Sequence, residues 1–196
     1  RSLIDINKDE DKKLVVEKVM TDTTLPSRLI SILDESFYIR TTLIRKNGSR
    51  RTFETTYYWD GNKTLVLSGY PGKRDWVASI SRNPKVVIHT VESDLWYDIP
   101  ATASVITEIS EKLPYIFKFI ERWAERPGFP RKKFLTLLAF VKINRKLKLP
   151  WWGPFILAKK IFQSMPCVVM KFDNKVYERK SGGPPRLSEP NESRPF

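Results

Sequence analysis

The chain has 196 residues, 41% of them hydrophobic and 29% charged, which suits one folded domain and excludes an intrinsically disordered chain. Its 35 lysines and arginines against 22 acidic residues leave a net charge of +13, which favours an anionic partner without choosing among nucleic acid, acidic lipid and a phosphorylated ligand. A single cysteine, Cys167, excludes an internal disulfide and fits a reducing, cytoplasmic compartment; the longest uncharged runs, Leu149–Ala158 and Ile161–Met170, fall well short of the roughly 20 residues of a membrane-spanning helix.

Residues 5–20 mix charge with Leu14, Val15, Val16 and Val19 and predict a peripheral helix; Thr24-Leu25-Pro26 opens a second, running to about Ser36. The pattern then alternates. Phe37–Arg45 and Thr52–Trp59, rich in Thr, Ile, Tyr and Phe, predict a hairpin closed by Asn47-Gly48, and Asp60-Gly61-Asn62 turns the chain into a third strand, Thr64–Ser68. A Gly- and Pro-bearing loop, Gly69–Arg74, leads to a short helix that Asp75 begins and Asn83-Pro84 ends. Strands resume at Lys85–Val91 and about Ala101–Thr107. Helices follow at roughly Ser110–Arg126, Arg131–Lys148 and Phe155–Ser164, and a last strand at Pro166–Phe172. From Ser181 the Gly-Pro-Ser-Glu composition predicts a disordered tail, residues 181–196. Six short strands, the first three with no helix between them, exclude a parallel α/β sheet and favour an α+β domain, residues 1–180, built on an antiparallel barrel.

The chemistry available to side chains is limited. The one histidine, His89, lies mid-strand and reads as a sheet residue with satisfied hydrogen bonds. One histidine and one cysteine make no Cys/His zinc site, acidic residues do not cluster, and no metal is expected. An enzyme built from this sequence leaves its hard step to an organic cofactor. Two segments have the character of anion cradles. In Arg45-Lys46-Asn47-Gly48-Ser49-Arg50-Arg51, four cations surround a tight turn whose backbone N–H groups are available; a solvated hairpin tip is the plainer alternative. In Ser68-Gly69-Tyr70-Pro71-Gly72-Lys73-Arg74-Asp75-Trp76, a strand passes through a glycine-bearing loop into a helix start. Neither has the glycine spacing of a P-loop or a dinucleotide fingerprint.

The order of these features carries a resemblance. Thr41-Thr42, the basic hairpin with Arg51, the Asp60-Gly61 turn, Ser68-Gly69 with Lys73, Trp76, Asn83-Pro84-Lys85-Val86 and Met165-Pro166-Cys167-Val168-Val169-Met170 follow one another as in the deazaflavin-dependent nitroreductase family, within the split β-barrel flavin-binding superfamily that includes pyridoxamine-phosphate oxidases. The chain resembles that family over residues 37–107 and 165–172. The resemblance implies a six-stranded antiparallel split barrel with N-terminal helices and a helical insertion, residues 110–164, before the last strand. It also implies F420, or alternatively FMN, as the cofactor of an oxidoreductase that transfers hydride to a small organic acceptor. The implied cofactor-binding residues are Arg45, Lys46, Asn47, Gly48 and Arg51 in the hairpin and Ser68, Gly69, Lys73, Arg74 and Trp76 in the second loop, with Ser68 the one candidate to orient substrate or supply a proton. A non-catalytic split-barrel flavin- or haem-binding protein is the alternative, and a homodimer is compatible with this architecture.

A second basic feature lies in the insertion. Residues 126–172 contain no acidic residue and eleven cations: Arg126, Arg131, Lys132, Lys133, Lys142, Arg145, Lys146, Lys148, Lys159, Lys160 and Lys171. Phe134, Leu137, Phe140, Trp151, Trp152 and Phe155 are interleaved with them. The insertion reads as a helical lid over one barrel mouth with its lysines in water, or as a lid that also meets an anionic membrane surface through residues 126–164, making the chain a peripheral protein of the inner membrane face or a basic surface adaptor. Nucleic acid ranks last, since no recognised binding motif is present. Tyr97, Tyr115, Trp151 and Trp152 are the aromatic candidates to wall a substrate pocket.

Overall fold

The computed structural model describes residues 16–20, 25–179 and 181–188. In chain order the elements are β1 (Val16–Met20), α1 (Ser27–Glu35), β2 (Tyr38–Ile44), β3 (Arg50–Trp59), β4 (Thr64–Leu67), α2 (Asp75–Arg82), β5 (Lys85–Thr90), β6 (Trp96–Val105), α3 (Ile109–Trp123), α4 (Arg131–Lys146), α5 (Pro154–Ser164), β7 (Val168–Phe172) and β8 (Val176–Arg179). Six strands close into an antiparallel barrel in the order β6-β5-β2-β3-β4-β7, with β7 returning to β6. The ring is split: β2 pairs with β3 from Arg50 to Thr56, whereas β4 pairs only with Tyr57, Tyr58 and Trp59 at the far end of β3. The expected α+β split barrel with a helical insertion is present.

Alternation along the strands decides what faces the barrel axis. Ile39, Thr41 and Leu43 of β2, Ile88 of β5, Ile99 of β6 and Met170 of β7 point inward, each at most 1% exposed. The interior is therefore filled with side chains and offers a ligand no room. Leu29 and Leu33 of α1 join this core at the end where Tyr57 Oη donates to Leu33 O at 2.8 Å. Trp76 and Ile80 of α2 join it at the other end, where Trp76 stacks on Phe53 with ring centroids 5.2 Å apart. These two helices close the mouths. Helices α3, α4 and α5 instead form a second core against Val66 and Val169, the outward residues of β4 and β7. The insertion is thus a buttress on the outer wall, and the expected lid over a mouth is corrected: its apolar face finds unpaired apolar sheet surface there, while the mouths are already filled.

Several boundaries differ from expectation for physical reasons. A helix was expected over 5–20; residues 16–20 form β1 instead, pairing with β8, and the rest of that span lies outside the described residues. Only the barrel edge created by β8 makes a strand there worthwhile. The strand β8 was not among the expected elements; it pairs with Trp96, Tyr97 and Asp98. β6 begins earlier than expected because Pro100, a breaker in most strands, sits where one side of β6 passes from β8 to β7. The described part of the expected tail, 181–188, is tethered: Arg40 Nη1 donates to Pro185 O at 2.8 Å, and Thr52 exchanges bonds of 2.9 Å with Ser188. It satisfies the open half of β3 that the split leaves without β4. Residues 189–196 lie outside the described residues.

One buried cation knits the insertion to the barrel. Lys112 of α3 is 4% exposed, and its ammonium donates to Gln163 O at 2.7 Å and Met165 O at 3.0 Å, carbonyls at the end of α5. Lys112→Met is expected to remove about 1–3 kcal/mol of stability by stranding those carbonyls, read by urea denaturation with unchanged m-value. Nearby, burial pushes the Cys167 thiol up to about 12, with Lys112 opposing the shift only in part. A thiol that holds its proton more tightly folded than unfolded stabilises the fold below its ordinary titration range, and that stability is lost as pH rises from 9.0 toward 12. Stability measured across that window is expected to fall, less steeply in Cys167→Ala, and thiol reagents at neutral pH are expected to label only the unfolded chain.

Candidate functional site

The β2–β3 hairpin turns tightly: Arg45 N donates to Ser49 O at 2.8 Å and Gly48 N to Arg45 O at 3.0 Å. Gly48 has φ +83°, a conformation that side chains with a Cβ rarely adopt, and Asn47 Oδ1 caps the turn by accepting from Ser49 N and Oγ. Alternation then sorts the cations. Arg45 and Arg51 continue the inward rows of Leu43 and Phe53, whereas Arg50 points out and Lys46 stands exposed at the tip. The inward pair reaches the mouth that α2 closes.

That geometry leaves positive charge concentrated and partly dry. Burial lowers the Arg51 pKa, Arg45 beside it lowers it further, and Asp75 at the start of α2 opposes the shift. Arg51 thus feels both the Arg45 guanidinium and the Asp75 carboxylate, the repulsion more strongly than the attraction. Arg45 Nε is buried and has no acceptor among the described residues. A buried donor without a partner is costly unless an acceptor arrives, and phosphate or carboxylate oxygens are the acceptors that a guanidinium fork matches best. The residues present fit an anionic ligand group such as a phosphate or carboxylate.

The second predicted segment meets the same end of the barrel. Lys73, exposed, is two residues from Asp75, so their Cα atoms lie within about 7 Å. The loop is pinned by Gly72 N donating to Ser164 O at 2.9 Å and by Arg74 Nη2 donating to Tyr70 O at 3.2 Å. Added Cβ atoms at Gly48, Gly69 and Gly72 would meet nothing within 4 Å, so the space outside both loops is open. Tyr70 is 69% exposed, and its ring meets Trp123 of α3 in a T-shaped contact with centroids 5.8 Å apart. Sequence reasoning did not single out Tyr70; its place between two turn residues was the available signal.

Two predicted residues are committed elsewhere. Ser68 is 1% exposed and its Oγ donates to Pro166 O at 2.6 Å, which fastens the end of β4 to the approach of β7. Its hydroxyl has no exposed face from which to supply a proton. Trp76 is a core residue stacked on Phe53, so it supports the mouth and does not present a ring face to solvent. Of the aromatic pocket candidates, Tyr97 is 2% exposed and bonded to Glu178, Trp151 lies under the Arg145 guanidinium at 4.0 Å, Tyr115 packs on the second core, and Trp152 is exposed. They do not converge. An open depression of about 400 Å3 between α3 and α4 is lined by Glu121, Glu125, Arg131, Leu135, Leu138, Ala139 and Lys142, and contains none of the predicted site residues.

On the outer face of the barrel His89 has both ring nitrogens engaged, as expected of it. Nδ1 lies 2.6 Å from Asp98 Oδ1, and Nε2 lies 2.8 Å from Thr42 Oγ1, which in turn meets Thr52 Oγ1 at 2.8 Å. Asp98 Oδ2 is 2.8 Å from Arg179 Nε, a pairing by charge rather than by a directed hydrogen bond, and Arg179 Nη1 donates to Gly183 O at 2.7 Å. His89, Asp98 and Arg179 are all under 9% exposed. The segment 181–188 crosses this face from Arg179 to Thr52.

The barrel with its split and wall helices defines a split-barrel protein, one mouth of which carries a basic rim. By sequence, no family model matches the chain and no curated protein matches it. By structure it is similar to a conserved hypothetical protein from Mycobacterium tuberculosis (TM-score 0.54, 12% identity, 90% of this chain and 99% of that one). It is also similar to a FAD- and haem-binding protein from Mycobacterium smegmatis (0.53, 15%, 87% and 77%) and to a putative 5-nitroimidazole antibiotic resistance protein from Bacteroides thetaiotaomicron (0.51, 11%, 87% and 95%). At such identities these likenesses establish the fold and leave the ligand to the chemistry of the site.

Proposed function

We propose that this chain binds a flavin-type cofactor, F420 or FMN, at the rim formed by the β2–β3 hairpin and the loop before α2, and uses it as an oxidoreductase on a small organic acceptor. The observation that carries this reading is the basic pair: Arg51 is half-buried beside Arg45, Asp75 offsets that repulsion only in part, and Arg45 Nε is buried without an acceptor among the described residues. In this reading Arg45 and Arg51 grip the anionic end of the cofactor, exposed Lys46 and Lys73 add long-range attraction, and Tyr70 offers a ring face to a planar group. When bound, the cofactor supplies hydride transfer, for which no side chain has to act as acid or base. One chain presents the rim as an open surface, so a second copy walls the site in this proposal; size-exclusion of the loaded protein as a dimer supports that part, and a loaded monomer removes it.

Haem is the less suitable ligand for a side-chain reason. The single imidazole is buried with both nitrogens bonded, and the single thiol is 1% exposed, so neither reaches a porphyrin iron without breaking the fold. The test is equilibrium dialysis of the purified chain against FMN, F420 and haemin separately, followed by reduction of the bound cofactor and addition of nitroaromatic or quinone acceptors. Binding of FMN or F420 with reoxidation by an acceptor supports the proposal. Binding without turnover leaves a carrier, and binding to neither removes the reading.

A further inference from the structure

Helix α4 buries Leu138, Val141 and Asn144 against the second core. An adjoining, outward stripe is apolar as well: Leu137, Phe140, Ile143 and the C-capping Leu147 follow at intervals of three, three and four residues, and are between 54% and 64% exposed. A wall helix in water carries polar residues on that side. The apolar surface continues through the connection to α5 and along that helix, with Trp152 56% and Leu157 63% exposed. Exposed apolar groups scattered singly need no explanation, but a run of them on adjoining elements marks a surface that meets something.

Charge narrows the partner. Lys132, Lys133, Lys146, Lys148 and Lys160 are exposed around these groups, and no acidic residue occurs from 126 to 172. A second copy seated face to face would set these five exposed lysines against five. Nucleic acid would pair with the lysines but leave Leu137, Leu147 and Leu157 unused, since aliphatic side chains do not stack on bases. Spanning a bilayer is excluded for the described helices, none of which is long and apolar enough. An anionic lipid surface uses both halves: headgroup phosphates take the lysines, and the acyl boundary takes the leucines and Phe140. Trp152, unlike Trp151 beneath Arg145, is free to sit at headgroup depth.

We infer that the outer face of α4 and α5, with their connection, docks the protein on an anionic membrane surface, independently of what the barrel mouth binds. Co-sedimentation of the full chain with phosphatidylcholine vesicles, with and without phosphatidylglycerol, tests it. Binding is expected only to the phosphatidylglycerol vesicles, with a blue shift of tryptophan emission that Trp152→Phe removes. Lys133→Gln and Lys160→Gln are each expected to weaken binding about fivefold at low salt, and Phe140→Ser and Leu157→Ser about tenfold at any salt. Absence of vesicle binding overturns the inference. So does binding that the lysine variants weaken and the apolar variants leave unchanged, which is adsorption by charge alone. A concentration-dependent dimer abolished by Phe140→Ser overturns it in favour of a second copy.

Discussion

Arg51→Gln is expected to weaken FMN or F420 binding by about 10–100-fold, the loss of a charge-assisted bidentate contact worth about 1.5–3 kcal/mol. Arg50→Gln is the matched control. It removes the same charge from the neighbouring position, but its side chain points outward and is exposed, so the expected loss is less than about fivefold by screened attraction alone. Arg45→Gln is expected to behave like Arg51→Gln, and the double variant to lose less than the product, since both act on one anionic group. Thermal unfolding of each variant without ligand is expected to change little or to rise, because burial and mutual repulsion already disfavour the Arg51 charge. Equal losses at Arg50 and Arg51 would show that bulk charge binds the ligand and would discard the proposed grip.

Arg179→Met is expected to destabilise the fold by about 3–5 kcal/mol, because it leaves Asp98 buried and held only by His89. Adding Asp98→Asn to it is expected to recover part of that loss, as removal of both partners costs less than orphaning one. A second readout is local. Arg179 also holds Gly183 O, so its loss should free the segment that ends at Ser188, and trypsin cleavage after exposed Arg186 should accelerate before global unfolding does. Unchanged cleavage together with unchanged stability would mean that the cluster is ornamental to the fold.

The barrel was legible because its signals are local. Asn47-Gly48 and Asp60-Gly61 set hairpins by turn geometry, and alternation in β2 set its faces. The helices of the insertion were legible to within a few residues for the same reason. The strands β1 and β8 were not, since short segments become strands only when an edge is offered to them, and that edge is created by β6 far away in sequence. The tether of 181–188 likewise answers a gap in β3 that no local pattern announces.

At the candidate site the residue types were visible and their roles were not. The sequence alone determined that cations flank two tight turns, that one histidine and one cysteine cannot make a Cys/His zinc site, and that the insertion is basic and aromatic, since these depend only on which residues exist and on their spacing. Tertiary structure decided which of the cations are dry, through the inward rows that carry Arg45 and Arg51 to the mouth beside Asp75. It also withdrew Ser68 and Trp76 into structural work and turned the insertion from a lid into an outer wall with a free apolar side. Burial and pairing are properties of neighbours brought together by folding, and a linear order of residues does not carry them.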